Sequence, residues 1–273
     1  MKKILVPFNF SVSSSWGFCY AYELAASIGA EIIVVNMYTA AMESTYSLEK
    51  LQANAHKRKL EILEHLKAAT QYPTASQSVK VSYDIDYGLK DDITLYAKRQ
   101  DVDLIVMGTD GNDKVLNKLW GSNTSAVINN AHCPVLAIPN GTSFKSVKTI
   151  AYATNFDEKD IESITQLGRV AEATNATLFC VHVNLFSEAP KTEEAAVFET
   201  KLQANLPDLP IVFHAWSAHN VEDGLEIFCR VNQIDMLAML THNRSTWDKL
   251  FGEHSVTKSM AMRNKLPLLA FHG

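Results

Sequence analysis

The chain has 273 residues, enough for one large domain or two small ones. Hydrophobic residues make up 47% and charged residues 20%, which excludes a disordered chain. The 25 Lys and Arg against 30 Asp and Glu leave a net charge of −5, with neither the basic footprint of a nucleic-acid binder nor an acidic tail.

In chain order, Ile4–Phe8 is a short apolar run and predicts a strand buried on both faces. It is too short for a signal-peptide core, and no run approaches the roughly 20 apolar residues of a spanning helix. A cytoplasmic chain with no membrane partner is expected. Ser11, Ser13 or Ser14 caps the next helix, Trp16, Tyr20, Leu24 and Ile28 recur along it, and Gly29 stops it. Ile32–Met37 is the second strand. Leu48, Leu51, Ala55, Ile62, Leu63 and Leu66 mark a long amphipathic helix. Val79, Val81, Tyr83 and Ile85 alternate, as in a strand at a sheet edge. Asp91 or Asp92 opens a helix over Ile93, Tyr96 and Ala97. Leu104–Met107 is a fourth strand, Ser122–Asn130 a helix and Val135–Ile138 a fifth strand.

The pattern then starts again. Ile150 to Phe156 resembles Ile4 to Phe10, Asp235 to Met239 resembles Asp103 to Met107, and Pro267 to Phe271 resembles Pro134 to Ile138. The order is the same in both halves, with the second copy shorter in its middle. Two homologous domains follow, 1–140 and 147–273, joined at the polar, turn-prone Asn140-Gly141-Thr142-Ser143. Strands in the second are expected at Thr149–Ala153, Leu178–Val183, Ile211–Trp216, Met236–Leu240 and Leu268–Phe271. Strict alternation of strand and helix predicts a doubly wound parallel sheet in each half. Its ligand would bind beyond the carboxyl ends of the strands. The apolar fifth strands of the two halves are expected to meet within the chain, an intramolecular pseudo-dimer, with a homodimer equally compatible.

After the fourth strand come Gly108, Gly111 and, after nine intervening residues, Gly121-Ser122. Gly108 is expected to turn the chain off the strand end, and Gly111 to bring backbone N–H groups close to an anion. Gly121-Ser122 opens a helix whose free N–H groups and dipole favour phosphate, with hydroxyls from Ser122 and Thr124. Lys114 and Lys118, Asp110 and Asp113 lie in the intervening loop and are expected to be solvated.

These residues, with the opening Ile4-Leu5-Val6-Pro7-Phe8-Asn9-Phe10-Ser11 and Cys133-Pro134-Val135-Leu136, resemble the universal stress protein family over nearly the whole chain. The resemblance implies an α/β fold of the adenine nucleotide alpha hydrolase-like kind, two five-stranded parallel sheets of order 3-2-1-4-5. It implies binding of ATP, or of AMP or ADP, with Mg2+ as a companion ion. Pro7, Phe8, Asn9 and Phe10 match the positions that hold base and ribose, and Met37 the position whose backbone contacts adenine. Met107, Gly108, Gly111, Gly121, Ser122, Asn123 and Thr124 match the ribose-phosphate cradle. Asn9 stands where the family has Asp, and it brings no charge to a sugar hydroxyl or a metal-bound water. The implied role is stress response by binding and signalling, with at most slow hydrolysis. A nucleotide-free interaction protein and a weak ATPase are the alternatives.

The second half departs from the motif. Leu240 stands for Gly108 and Asn243 for Gly111, and Glu253 replaces Ser122 after Gly252. A carboxylate at that helix start repels phosphate, so one working site is expected. Cys19, Cys133, Cys180 and Cys229 are too scattered for a disulfide framework or a zinc site and read as buried free thiols. Nine histidines, including His132, His182, His214, His219, His242 and His254, show no HxxxH spacing. No Walker lysine follows the glycines and no GxSxG elbow occurs, so no catalytic residue is assigned.

Overall fold

The computed structural model describes residues 1–37, 48–69, 79–86, 92–109, 122–241 and 266–272. They fall into two compact units that part between Phe144 and Lys145.

The first unit holds strands β1 (Lys3–Pro7), β2 (Glu31–Met37), β3 (Val81–Asp86), β4 (Leu104–Thr109) and β5 (Val135–Pro139). Its helices are α1 (Val12–Ile28), α2 (Leu48–Ala69), α3 (Asp92–Arg99) and α4 (Ser122–Asn130). The strands lie in the order β3-β2-β1-β4-β5, every neighbour parallel. Ile4, Leu5, Val6, Ile105 and Val106 are wholly buried, as a sheet covered on both faces requires. The edge position of β3 agrees with its alternating sequence, although the strand begins at Val81 rather than Val79.

The second unit holds β6 (Thr149–Ala153), β7 (Thr177–Leu185), β8 (Ile211–Ala218), β9 (Met236–Thr241) and β10 (Leu268–His272), with α5 (Glu158–Thr174), α6 (Thr192–Asn205) and α7 (Val221–Val231). Its order, β8-β7-β6-β9-β10, is the same, and again all parallel. β7 and β8 each run two residues past the expected Val183 and Trp216.

The repeat has a physical basis in three recurring devices. Helix α1 is capped by Ser11, whose side chain accepts from Ser14 N–H, and is closed by Gly29 in the left-handed region at φ 69°. Helix α5 is capped by Asp157, with Asp160 completing a capping box, and is closed by Asn175 at φ 52°. Asp103 accepts from the backbone N–H groups of Lys2 (2.7 Å) and Lys3 (2.9 Å), binding the start of β4 to the start of β1. Asp235 does the same for Lys148 (2.8 Å) and Thr149 (3.0 Å). Phe10 and Phe156 both sit at positive φ, 64° and 66°, a strained station for an aromatic residue.

Candidate functional site

The candidate site residues gather at the carboxyl ends of β1, β2 and β4. With β2 and β4 on either side of β1, this is the topological switch point of the sheet, the place where parallel sheets of this kind take their ligands. Pro7 ends β1 and Phe8 is buried behind it, its N–H donating to the Val35 carbonyl at 2.8 Å. Asn36, a buried polar residue one position before the end of β2, donates from Nδ2 to the Phe8 carbonyl at 2.6 Å. Met37, half-buried, ends β2 beside it.

Asn9 is exposed, and its Oδ1 accepts from the backbone N–H of Ser11 at 3.1 Å. The side chain therefore closes a local turn that leads into α1. The Phe10 ring meets Phe8 edge-on at 5.3 Å and His65 at 5.8 Å, and the Arg58 guanidinium lies 5.0 Å from its centroid. Arg58 Nε also donates to Asn36 Oδ1, at 3.4 Å. Sequence reasoning passed over Asn36, Arg58 and His65. The first was visible as a polar break in the apolar Ile32–Met37 run. The other two flank the buried stripe of α2, four residues before and three after Ile62, where a polar residue in sequence reads as solvated.

On the other flank, Met107 is buried and Gly108 remains inside β4, paired with Ile138. Gly108 has no positive φ, so it does not turn the chain off the strand. Its missing side chain serves a different purpose. A Cβ there would overlap the Ser13 carbonyl oxygen, and a Cβ on Gly17 would stand 2.5 Å from the Gly108 amide nitrogen. The first turn of α1 thus presses backbone to backbone on β4. Helix α4 starts at Ser122, with Asn123 exposed and Thr124 buried in its first turn. Gly111, Gly121 and the loop residues Asp110, Asp113, Lys114 and Lys118 lie outside the described residues.

The same place in the second unit is built differently. Leu240, buried, stands for Gly108 and Ser163 for Gly17, and α5 packs much less closely on β9 than α1 does on β4. Tyr152 Oη (2.7 Å) and Thr154 Oγ1 (2.6 Å) both donate to the buried Asp160 carboxylate. Burial raises the Asp160 pKa despite these bonds, and burial with the nearby carboxylate raises that of the Tyr152 phenol. His182 takes the place of Asn36, its Nδ1 2.9 Å from the Thr154 carbonyl, and its ring packs on Phe156 at 4.4 Å. Burial lowers the His182 pKa. Lys191 donates to Asn155 Oδ1 at 2.7 Å. Asn243, Gly252 and Glu253 lie outside the described residues, as do His242 and His254.

The other histidines engage separate partners. His214 packs against Phe179 and Phe228, His219 against Phe186, and His132 is exposed. Among the described residues no three His, Cys, Asp or Glu side chains gather as a metal site. All four cysteines are free thiols, but Cys19 is half-buried rather than buried. Among the described residues no helix is long and apolar enough to cross a membrane.

Comparison with known proteins gives this architecture its class. The sequence pattern of the universal stress protein family matches residues 1–139. A universal stress protein from Methanocaldococcus jannaschii is 28% identical over 142 residues, covering 50% of this chain and 81% of its own. A putative universal stress protein from Staphylococcus haemolyticus is 27% identical over 139 residues, covering 50% and 84%. Among solved structures, a universal stress protein from Archaeoglobus fulgidus superposes with a TM-score of 0.69 at 16% identity, over 99% of this chain and 98% of its own. The chain belongs to the universal stress protein family.

Proposed function

We propose that the first unit binds ATP, or AMP or ADP, and that the protein acts in the cytoplasm by binding and signalling rather than by turnover. The observation that carries this reading is the topological switch at β1, flanked by β2 and β4, with α4 starting at Ser122 after β4, since a helix start offers backbone N–H groups and a favourable dipole to phosphate. Pro7, Phe8, Asn9, Phe10 and Met37 form the base and ribose side. Met107, Gly108, Gly111, Gly121, Ser122, Asn123 and Thr124 form the phosphate side. Asn9 offers only a neutral amide, so a Mg2+ companion would depend mainly on the phosphates for its negative ligands. The second unit, with Leu240 in place of Gly108 and His182 seated on Phe156, is the non-binding copy.

The test is to purify the protein, denature it and identify any released adenine nucleotide, with Gly121→Asp as control. Nucleotide in the wild type and none in the variant supports the reading. No nucleotide in either, with no thermal shift on adding ATP, sinks it.

A further inference from the structure

The first unit's site has a wall that the nucleotide reading does not use. Arg58 of α2 lies over Phe10 with its guanidinium carbon 5.0 Å from the ring centroid. It reaches Asn36, which in turn holds the Phe8 carbonyl. These contacts anchor Arg58 beside the end of β1, within a residue of Asn9 on either side. Its side chain keeps 39% of its surface exposed, and its ion pair with Glu61, at 3.6 Å, is itself an exposed one.

Position decides what Arg58 would touch. In the sheet, β4 and β5 lie on one side of β1, with α4 running between them in sequence and packing on β5, and β2 lies on the other with Arg58 bonded to its Asn36. A ligand whose phosphates sit at α4 therefore presents its opposite end, the base, towards Arg58. The planar, weakly hydrated guanidinium offers a face on which a base can stack, backed by an aromatic ring. The second unit differs at this place. Phe156 meets His182 at 4.4 Å and Phe198 at 5.6 Å, two rings, where Phe10 carries the Arg58 guanidinium beside its rings.

We propose that Arg58 is a base-binding residue of the first unit's site, stacking a purine beside Phe10. The proposal rests on the nucleotide reading. It is tested by calorimetric titration of the full chain with ATP, adenosine and UTP. Arg58→Ala and Arg58→Met are compared with wild type, Met keeping the aliphatic cover on Phe10. Both variants are expected to weaken ATP and adenosine by the same factor, roughly tenfold. UTP, with a smaller ring to stack, should weaken by less than about threefold. A loss seen with ATP but not adenosine would place Arg58 on the phosphates and overturn the proposal. An equal loss for all three ligands with a lowered melting temperature would make its role structural and also overturn it, as would unchanged affinities. If the wild type binds none of the three, the nucleotide reading itself fails, and this proposal with it.

Discussion

Gly17 and Gly108 meet backbone to backbone, so that a Cβ on the first would stand 2.5 Å from the amide nitrogen of the second. The contact fixes how closely α1 approaches β4. Gly108→Ala must push the first turn of α1 away, because the obstructing atom is the Ser13 carbonyl and not a side chain that can swing aside. The expected cost is about 3 kcal/mol, at the upper end for overpacking. Urea unfolding monitored by Trp fluorescence measures it.

The pH response of the second unit follows from His182. Burial depresses its folded pKa, so below the unfolded value of about 6.5 the unfolded chain binds the extra proton. The contribution to stability is present above that value and is lost as pH falls below it, towards the folded pKa. His182→Asn copies the residue that holds the equivalent carbonyl in the first unit. It should flatten the dependence of melting temperature on pH between about 5 and 7. A variant that keeps the wild-type slope would place the titration on another group.

Asp103 and Asp235 each satisfy two backbone N–H groups at a strand start. Asp103→Ala and Asp235→Ala should each destabilise by about 1–2 kcal/mol, since exposed partners recover part of the loss from water. The two losses should add in the double variant, because the sites share no partner. A chemical denaturation series of the four proteins checks both statements.

Thiol chemistry separates Cys19 from the rest. Burial pushes Cys133 and Cys229 up to about 12, and Cys180 is raised as well. Cys19 is raised by burial and by Glu23, yet it alone keeps part of its surface open. In the native protein at pH 8, iodoacetamide should therefore modify Cys19 first, with the other three reacting only on unfolding. Peptide mapping by mass spectrometry reads the order.

Much of the architecture was legible because it is written locally. The apolar runs at Ile4 and Leu104, the cap at Ser11 and the stop at Gly29 each act through their own few residues, and each recurs in the second half. The role of Gly108 was not legible. A glycine after an apolar run reads as a turn, whereas its reason lies in Ser13, nearly a hundred residues away. Asn36 and Arg58 escaped for a similar reason. One looks like an interruption and the other like a solvated charge until the fold brings Phe8 and Phe10 to them. Asn9 was singled out for its missing charge, and what the sequence did not reveal is its bond to the N–H of Ser11.

The left-handed stations at Phe10 and Phe156 have one more consequence. The two copies retain the same backbone course at this corner while their side chains have diverged around it. Heat, crowding and acidity reach both corners of one molecule at once. At a fixed pH, so that His182 does not titrate, a probe placed at each would make the second copy a built-in reference channel for ligand binding at the first under the proposed single-site reading.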